Sequence, residues 1–126
     1  MNVLRIDHIN IRAPKPLLDQ VRRFYVDVLG LTEGERPSFS SRGYWLYAAG
    51  IPLVHLSESK QRGNSPGTGY LDHVAFHVTD PDTLVKRLEK AGIGYSRSHI
   101  AELGLGQLFF QDPAGNGLEA NFRTQD

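Results

Sequence analysis

Cysteine is absent from this chain of 126 residues. That excludes disulfides and thiolate zinc sites, so any metal has to be held by histidine and carboxylate side chains. Excess charge of either sign is absent too: 14 basic residues face 14 acidic ones. Polyanion binding usually needs a basic stripe, so no nucleic-acid partner is expected. No apolar run approaches the roughly 18 residues that span a bilayer, so no membrane partner is expected either. The opening Met1-Asn2-Val3-Leu4-Arg5 lacks a signal-peptide layout. Together with the missing cysteines, this gives a cytoplasmic location as the expectation. What is present is ordinary globular composition, 40% apolar and 22% charged, enough for one compact unit or two very small ones.

The chain reads as one module written twice. Ile6-Asp7-His8-Ile9-Asn10-Ile11 alternates apolar and polar residues, as a strand does. Leu71-Asp72-His73-Val74-Ala75-Phe76-His77-Val78 repeats the Asp-His step in the second half of the chain. A helix follows each strand. In the first, Pro16 suits an early helical position, Leu17, Leu18, Val21, Phe24, Val28 and Leu29 recur at helical spacing, and Gly30 closes it. In the second, Asp80 is the N-cap and Pro81 the first helical residue; Leu84, Val85, Leu88 and Ala91 form the stripe, and Gly92 closes it. Short extended segments are expected over residues 31–36 and 95–100, and a hairpin ends each half. The turns of the two hairpins hold Gly50 and Gly115, separated by the same interval as His8 and His73.

The expected architecture is therefore α+β: one domain over residues 1–126, built of a βαβββ module over about residues 3–58 and another over about 70–123. Residues 58–69, rich in Gly, Ser and charge, form the linker. A module of this size buries too little surface to be secure alone. Two paired, curved mixed sheets with helices on the outer face would form a groove.

Strand alternation decides what faces that groove. Ile9, Ile11, Val74, Phe76, Val54 and Leu56 should pack under the helices. His8, Asn10, His73, His55, Glu119 and Asn121 then project from the opposite face. His55 and Glu119 hold equivalent places in the last strands, at nearly the interval that separates the two Asp-His steps. Neutral imidazoles and a carboxylate suit borderline divalent metals and leave positions open for water or substrate. Hence His8, His73, Glu119 and His55 are the candidate ligands, and one divalent ion per site (Zn, Ni, Mn or Fe) is the expected cofactor. Asn10, Tyr47, Gln107, Phe109 and Asn121 are the candidate groove lining, and Glu119 is the candidate catalytic base. A lone strand histidine is more often structural than a ligand, which is how His77 and His99 are read. Tyr44, Trp45 and Tyr47 are left open between core and groove. Asp112-Pro113-Ala114-Gly115-Asn116 is read as turn chemistry with no catalytic role. Pro37, Phe39 and Arg42 are candidates for a loop lid.

Four segments carry a family resemblance: Asp7-His8-Ile9-Asn10-Ile11; Phe24-Tyr25-Val26-Asp27-Val28-Leu29-Gly30-Leu31; Leu71-Asp72-His73-Val74-Ala75-Phe76; and Phe110-Gln111-Asp112-Pro113-Ala114-Gly115-Asn116-Gly117-Leu118-Glu119. In combination they make the chain resemble the glyoxalase/bleomycin-resistance/dioxygenase (vicinal oxygen chelate) superfamily over nearly its full length. The resemblance implies paired βαβββ modules around a metal-lined groove, with His8, His73 and Glu119 at the usual ligand positions. His55 falls where glyoxalase I enzymes usually carry a second Glu, a departure from that pattern.

Four activities compete. The first is a metal-dependent lyase or isomerase like glyoxalase I, acting on a small carbonyl or vicinal-oxygen substrate. The second is an extradiol-type dioxygenase, whose open metal positions His55 would crowd. The third resembles fosfomycin-resistance transferases, but Leu103-Gly104-Leu105-Gly106 lacks their Ser/Glu-rich cation loop. The fourth is a metal-free drug-binding protein of the bleomycin-resistance type. Short relatives usually pair modules between chains. A homodimer is therefore expected, with sites at the subunit interface: His8 and His55 from one subunit, His73 and Glu119 from its partner.

Overall fold

A computed structural model describes Met1, residues 4–59 and residues 73–124. Asp72 of the second Asp-His step, Leu71, Asn2, Val3 and nearly all of the expected linker lie outside the described residues. The chain divides into two compact units, Met1–Gly63 and Asn64–Asp126. Each is βαβββ. Unit 1 holds β1 (Ile9–Ala13), α1 (Lys15–Asp27), β2 (Thr32–Gly34), β3 (Gly43–Ala48) and β4 (Ile51–Glu58). Unit 2 holds β5 (His73–His77), α2 (Pro81–Lys90), β6 (Ser96–Ile100), a short 3-10 turn (Ala101–Leu103), β7 (Leu105–Gln111) and β8 (Gly117–Arg123). The sheet orders are β1-β4-β3-β2 and β5-β8-β7-β6. In each, the first strand runs parallel to the last and the remaining neighbours are antiparallel.

The helices start and stop where their residues dictate. Asp80 takes the left-handed backbone and accepts the Thr83 amide, capping α2 ahead of Pro81. Gly30 and Gly92 both have positive φ, 75° and 70°. This turns the chain so that Leu31 donates to the Tyr25 carbonyl at 3.0 Å and Ile93 to the Leu88 carbonyl at 2.9 Å, satisfying helix ends that would otherwise be orphaned. In unit 1, Leu18, Val21, Phe24 and Tyr25 of α1 are buried, as are Leu46, Val54 and Leu56 of the sheet. Leu84 and Leu88 are buried in unit 2, together with Leu108, Phe110, Leu118 and Ala120. Each large aliphatic side chain buried in this way is worth about 1.5–3 kcal/mol. Ala91 departs from the expected stripe: burial ends at Leu88, and Ala91 is the exposed C-cap.

The first strand begins at Ile9, later than the expected Ile6. The parallel ladder starts at Ile9 opposite Val54. Before Val54, β4 offers Pro52, which has no N–H, and a register shift against Leu46/Tyr47, so residues 6–8 find no regular edge to join. His8 therefore sits just outside β1. The hairpin between β3 and β4 turns through Ala49 and Gly50, both at positive φ (51° and 78°). This is the backbone of a two-residue hairpin turn whose twist matches the strands.

The second hairpin closes through Asp112, which is 4% exposed. Its Oδ1 accepts the amides of Ala114 and Asn116, and its Oδ2 accepts the Asn116 side-chain N–H, each at 2.9 Å. The loop's polar groups are spent on the turn, as its residue types suggest. Asp112→Ala would strand these donors, so a loss of about 2–3 kcal/mol is expected. Urea unfolding measures it; a midpoint equal to that of the parent chain would remove Asp112 from this role.

Candidate metal centre

In unit 1 the sheet face opposite α1 is set by alternation. Leu46, Val54 and Leu56 are fully buried on the helix side, while Asn10, His55 and Trp45 form one row across β1, β4 and β3. His55 is clamped in that row. Its ring stacks on Trp45, with centroids 4.1 Å apart and planes 13° apart, and on its other side lies His8, at 3.8 Å and 12°. A hydrogen bond of 3.0 Å joins His55 Nε2 to the Pro52 carbonyl. A carbonyl can only accept, so Nε2 carries the proton and Nδ1 keeps its lone pair. His8 Nδ1 lies 2.8 Å from Asp7 Oδ1. In a neutral ring the proton would then sit on Nδ1 and the lone pair on Nε2. Each imidazole has one nitrogen held by an oxygen and no hydrogen-bond partner on the other among the described residues, the arrangement usual for metal-bound histidines.

Their stacking is a different matter. A ring nitrogen's lone pair lies in the ring plane, so two nearly parallel rings point their lone pairs along parallel planes. One ring has to turn before both can meet a single ion. Burial holds the His55 imidazole below its ordinary value of 6.5, repulsion between the two imidazoles when both are protonated adds to this, and the Pro52 hydrogen bond opposes it. The sign follows: the unfolded chain binds this proton more readily, so His55's contribution to stability is complete above about 6.5 and is lost as pH falls below it. Trp45 is the single tryptophan. Its emission should titrate with a midpoint below the ordinary imidazole value, and an unshifted midpoint would contradict the clamp.

The other candidates of this unit are placed as follows. Asn10 is exposed, with its side-chain N–H 3.4 Å from Ser57 Oγ. Tyr47 spends its hydroxyl on the Glu35 carbonyl at 2.7 Å. Its ring covers Gly34, where a Cβ would stand 2.7 Å from the ring, so a larger residue there would have to displace the ring. The question left open for the aromatic residues resolves by face: Tyr44 donates to Asp19 of α1, whereas Trp45 stacks on the other side of the sheet.

In unit 2 the parallel register sets Ala75 opposite Glu119 and His73 opposite Gly117. His73 is therefore diagonal to Glu119, and its Nε2 lies 3.4 Å from Glu119 Oε1. Glu119 is 7% exposed. Its Oε2 accepts the Gln107 side-chain N–H at 3.2 Å, from the position diagonal to it on β7. Phe109 pairs directly with Glu119, and Gln107 with Asn121. The Asn121 side-chain oxygen is buried with no hydrogen-bond partner among the described residues. His77 is exposed, and His99 Nε2 lies 3.4 Å from Thr124 Oγ1.

A separation of 3.4 Å, as between His73 and Glu119, is long for a hydrogen bond. It suits two donors on one ion, because ligands about 2.1 Å from a metal at tetrahedral or octahedral angles stand roughly 3.0–3.4 Å apart. The His73–Glu119 separation lies within that range. Within either unit, no group of three or more His, Asp or Glu side chains among the described residues is arranged to hold one. Of the four expected ligands, His8 and His55 lie in unit 1 and His73 and Glu119 in unit 2. Sequence reading missed the Trp45 clamp and the Asp7 partner of His8. Trp45 alternates with Tyr47 on one face of β3, a signal that only the hairpin register turns into a contact with His55.

Residues 5–120 match the model of the Glyoxalase/Bleomycin resistance protein/Dioxygenase superfamily. Glyoxylase I 4 of Arabidopsis thaliana is 29% identical, covering 94% of this chain and 71% of the relative. A glyoxylase/bleomycin resistance protein/dioxygenase domain from Frankia sp. EAN1pec superposes with a TM-score of 0.77 at 26% identity, over 98% of this chain and 95% of that one. A glyoxalase family protein from Bacillus anthracis gives 0.75 at 24% identity, covering 98% of each chain. Among the described residues no helix is long and apolar enough to cross a membrane.

Proposed function

This chain belongs to the Glyoxalase/Bleomycin resistance protein/Dioxygenase superfamily, and on that premise we propose that it is a metal-dependent lyase or isomerase for a small substrate with a carbonyl or two adjacent oxygens. The observation that carries the proposal is the approach of His73 Nε2 to Glu119 Oε1 on a buried carboxylate. His8, His73 and Glu119 would hold the ion. His55 would join them through Nδ1 if its ring left the stack. A divalent ion held there would polarise the substrate carbonyl and stabilise charge developing on its oxygen. Glu119 would take a proton from a hydroxyl-bearing carbon beside that carbonyl and return it to the carbonyl carbon, while the hydroxyl's own proton passes to the former carbonyl oxygen. Gln107, on Glu119 Oε2, fixes the carboxylate's rotation while it does so. Phe109, Asn121, Asn10 and Tyr47 are the proposed lining.

The His8–His55 stack favours a second reading, a metal-free small-molecule binding protein of the bleomycin-resistance type. Elemental analysis of the purified protein separates the two. On the first reading Zn, Ni, Mn or Fe is retained, and titrating metal into chelator-treated protein changes Trp45 emission as His55 unstacks. Protein that takes up none of these ions is not the enzyme proposed. Uptake with Trp45 unaffected leaves the three-ligand site and removes His55 from it. Oxygen consumption by the iron-loaded protein with a catechol would turn the reading toward the extradiol-type dioxygenase.

A further inference from the structure

Unit 1 has a cavity of about 450 Å³ between α1 and the loop joining β2 to β3, a volume ordinary for small-molecule sites. None of the proposed metal ligands lines it. We infer that it is a second binding site, for a small aromatic carboxylate.

Its charges point to an anion. Asp19 is already satisfied: Lys15 Nζ holds Oδ2 at 2.8 Å, and the Tyr44 hydroxyl donates to Oδ1 at 3.0 Å. Across the cavity stand two guanidinium groups. Among the described residues Arg36 donates to uncharged partners alone, the Ser41 carbonyl at 2.9 Å and the Ser41 hydroxyl at 3.5 Å, and its buried Nε has no hydrogen-bond partner there. The Arg42 side chain makes no hydrogen bond or ion pair among the described residues. Glu58 is the one remaining acid of the lining. Its amide donates to the Arg42 carbonyl at 2.8 Å, yet the two side chains do not pair. Two arginine charges therefore face a single unpaired carboxylate, and a planar carboxylate matches a guanidinium fork.

The apolar part of the lining asks for a ring. Phe39 is 53% exposed although it is a large hydrophobic residue, and it is the exposed large apolar side chain of a lining whose Leu18 is buried. The Arg36 guanidinium stands 4.8 Å from the centre of the Phe39 ring. An aromatic ligand would cover exposed Phe39 surface while its carboxylate meets Arg42. Pro37, Phe39 and Arg42, expected to form a lid, serve as walls of this cavity.

Phe39 lies 6.2 Å from Trp45, so the single tryptophan reports on it. The test is calorimetric titration of the whole protein with phenylacetate, its neutral isostere phenylacetamide, and acetate, alongside Trp45 emission. Phenylacetate should bind saturably and shift the emission, with the amide and acetate each about tenfold weaker or worse. Arg42→Gln should weaken phenylacetate about tenfold. Glu58→Gln should tighten it, and Phe39→Ser should weaken it without restoring acetate. Glu119→Ala should leave it unchanged, which keeps this test apart from the metal reading. No saturable binding up to the millimolar range overturns the inference. So does equal affinity for acid and amide, or binding that survives Arg42→Gln and disappears with Glu119→Ala.

Discussion

Glu119→Ala is expected to lose the metal and to lower kcat/KM by about 10³-fold or more, because one side chain is proposed both as ligand and as base. The substitution leaves Leu118 and Ala120, which bury the helix side of β8, in place, so the unit should still fold. It does leave the Gln107 side-chain N–H without its acceptor, at about 1–3 kcal/mol of stability. Glu119→Gln separates the two roles. It keeps the shape and an acceptor oxygen but has neither the charge nor the basicity, so residual metal with no turnover would identify the proton-transfer role. Metal content unchanged in Glu119→Ala, measured by elemental analysis on folded protein, would sink the ligand assignment whatever happens to the rate.

Mixing two inactive variants should restore activity if the proposed homodimer shares its sites between chains. His8→Ala removes a ligand of unit 1 and Glu119→Ala one of unit 2. In a mixed dimer whose sites each combine unit 1 of one chain with unit 2 of the other, one site carries both lesions and the other carries none. Random reassortment makes half the dimers mixed, each with one good site of two. About a quarter of parental activity should therefore return after the variants are unfolded and refolded together. If all four ligands come from one chain, every site keeps a lesion and nothing returns. Sedimentation of the active protein as a monomer would be equally decisive against sharing.

Much of the fold was legible because its signals are local. The Asp80-Pro81 start, the glycine stops and the alternation about Ile9, Val74 and Val54 are each decided by a few neighbouring residues, and the helices and strands follow them. The candidate residues were legible to the level of the face they occupy, since alternation fixes a side chain's side of the sheet. Ring orientation lay beyond it. The stacking of His8 on His55 depends on β1 starting late, and that in turn depends on Pro52 and the irregular register of β4. The Gln107–Glu119 contact is diagonal across a hairpin, so it needed the register that the Asp112 loop imposes. The cavity beside α1 had no sequence signal, because its walls come from a helix, a loop and strand ends that share no spacing.

The irregularity in β4 has one more consequence. Gly50 and Gly115 keep the interval of His8 and His73, whereas His55 and Glu119 stand slightly closer together in the chain. The first half therefore spends one position more between its turn glycine and its last-strand candidate. That surplus is absorbed where the register shifts between Leu46 and Tyr47, and beyond it His55 faces Trp45 much as Glu119 faces Phe109. The two halves differ in how they reverse direction and agree in phase. In a module written twice, what each half must keep is the parity of its last strand. A hairpin one residue longer still delivers the chemistry-bearing position to the same face, provided the extra residue is cancelled before the strand reaches it.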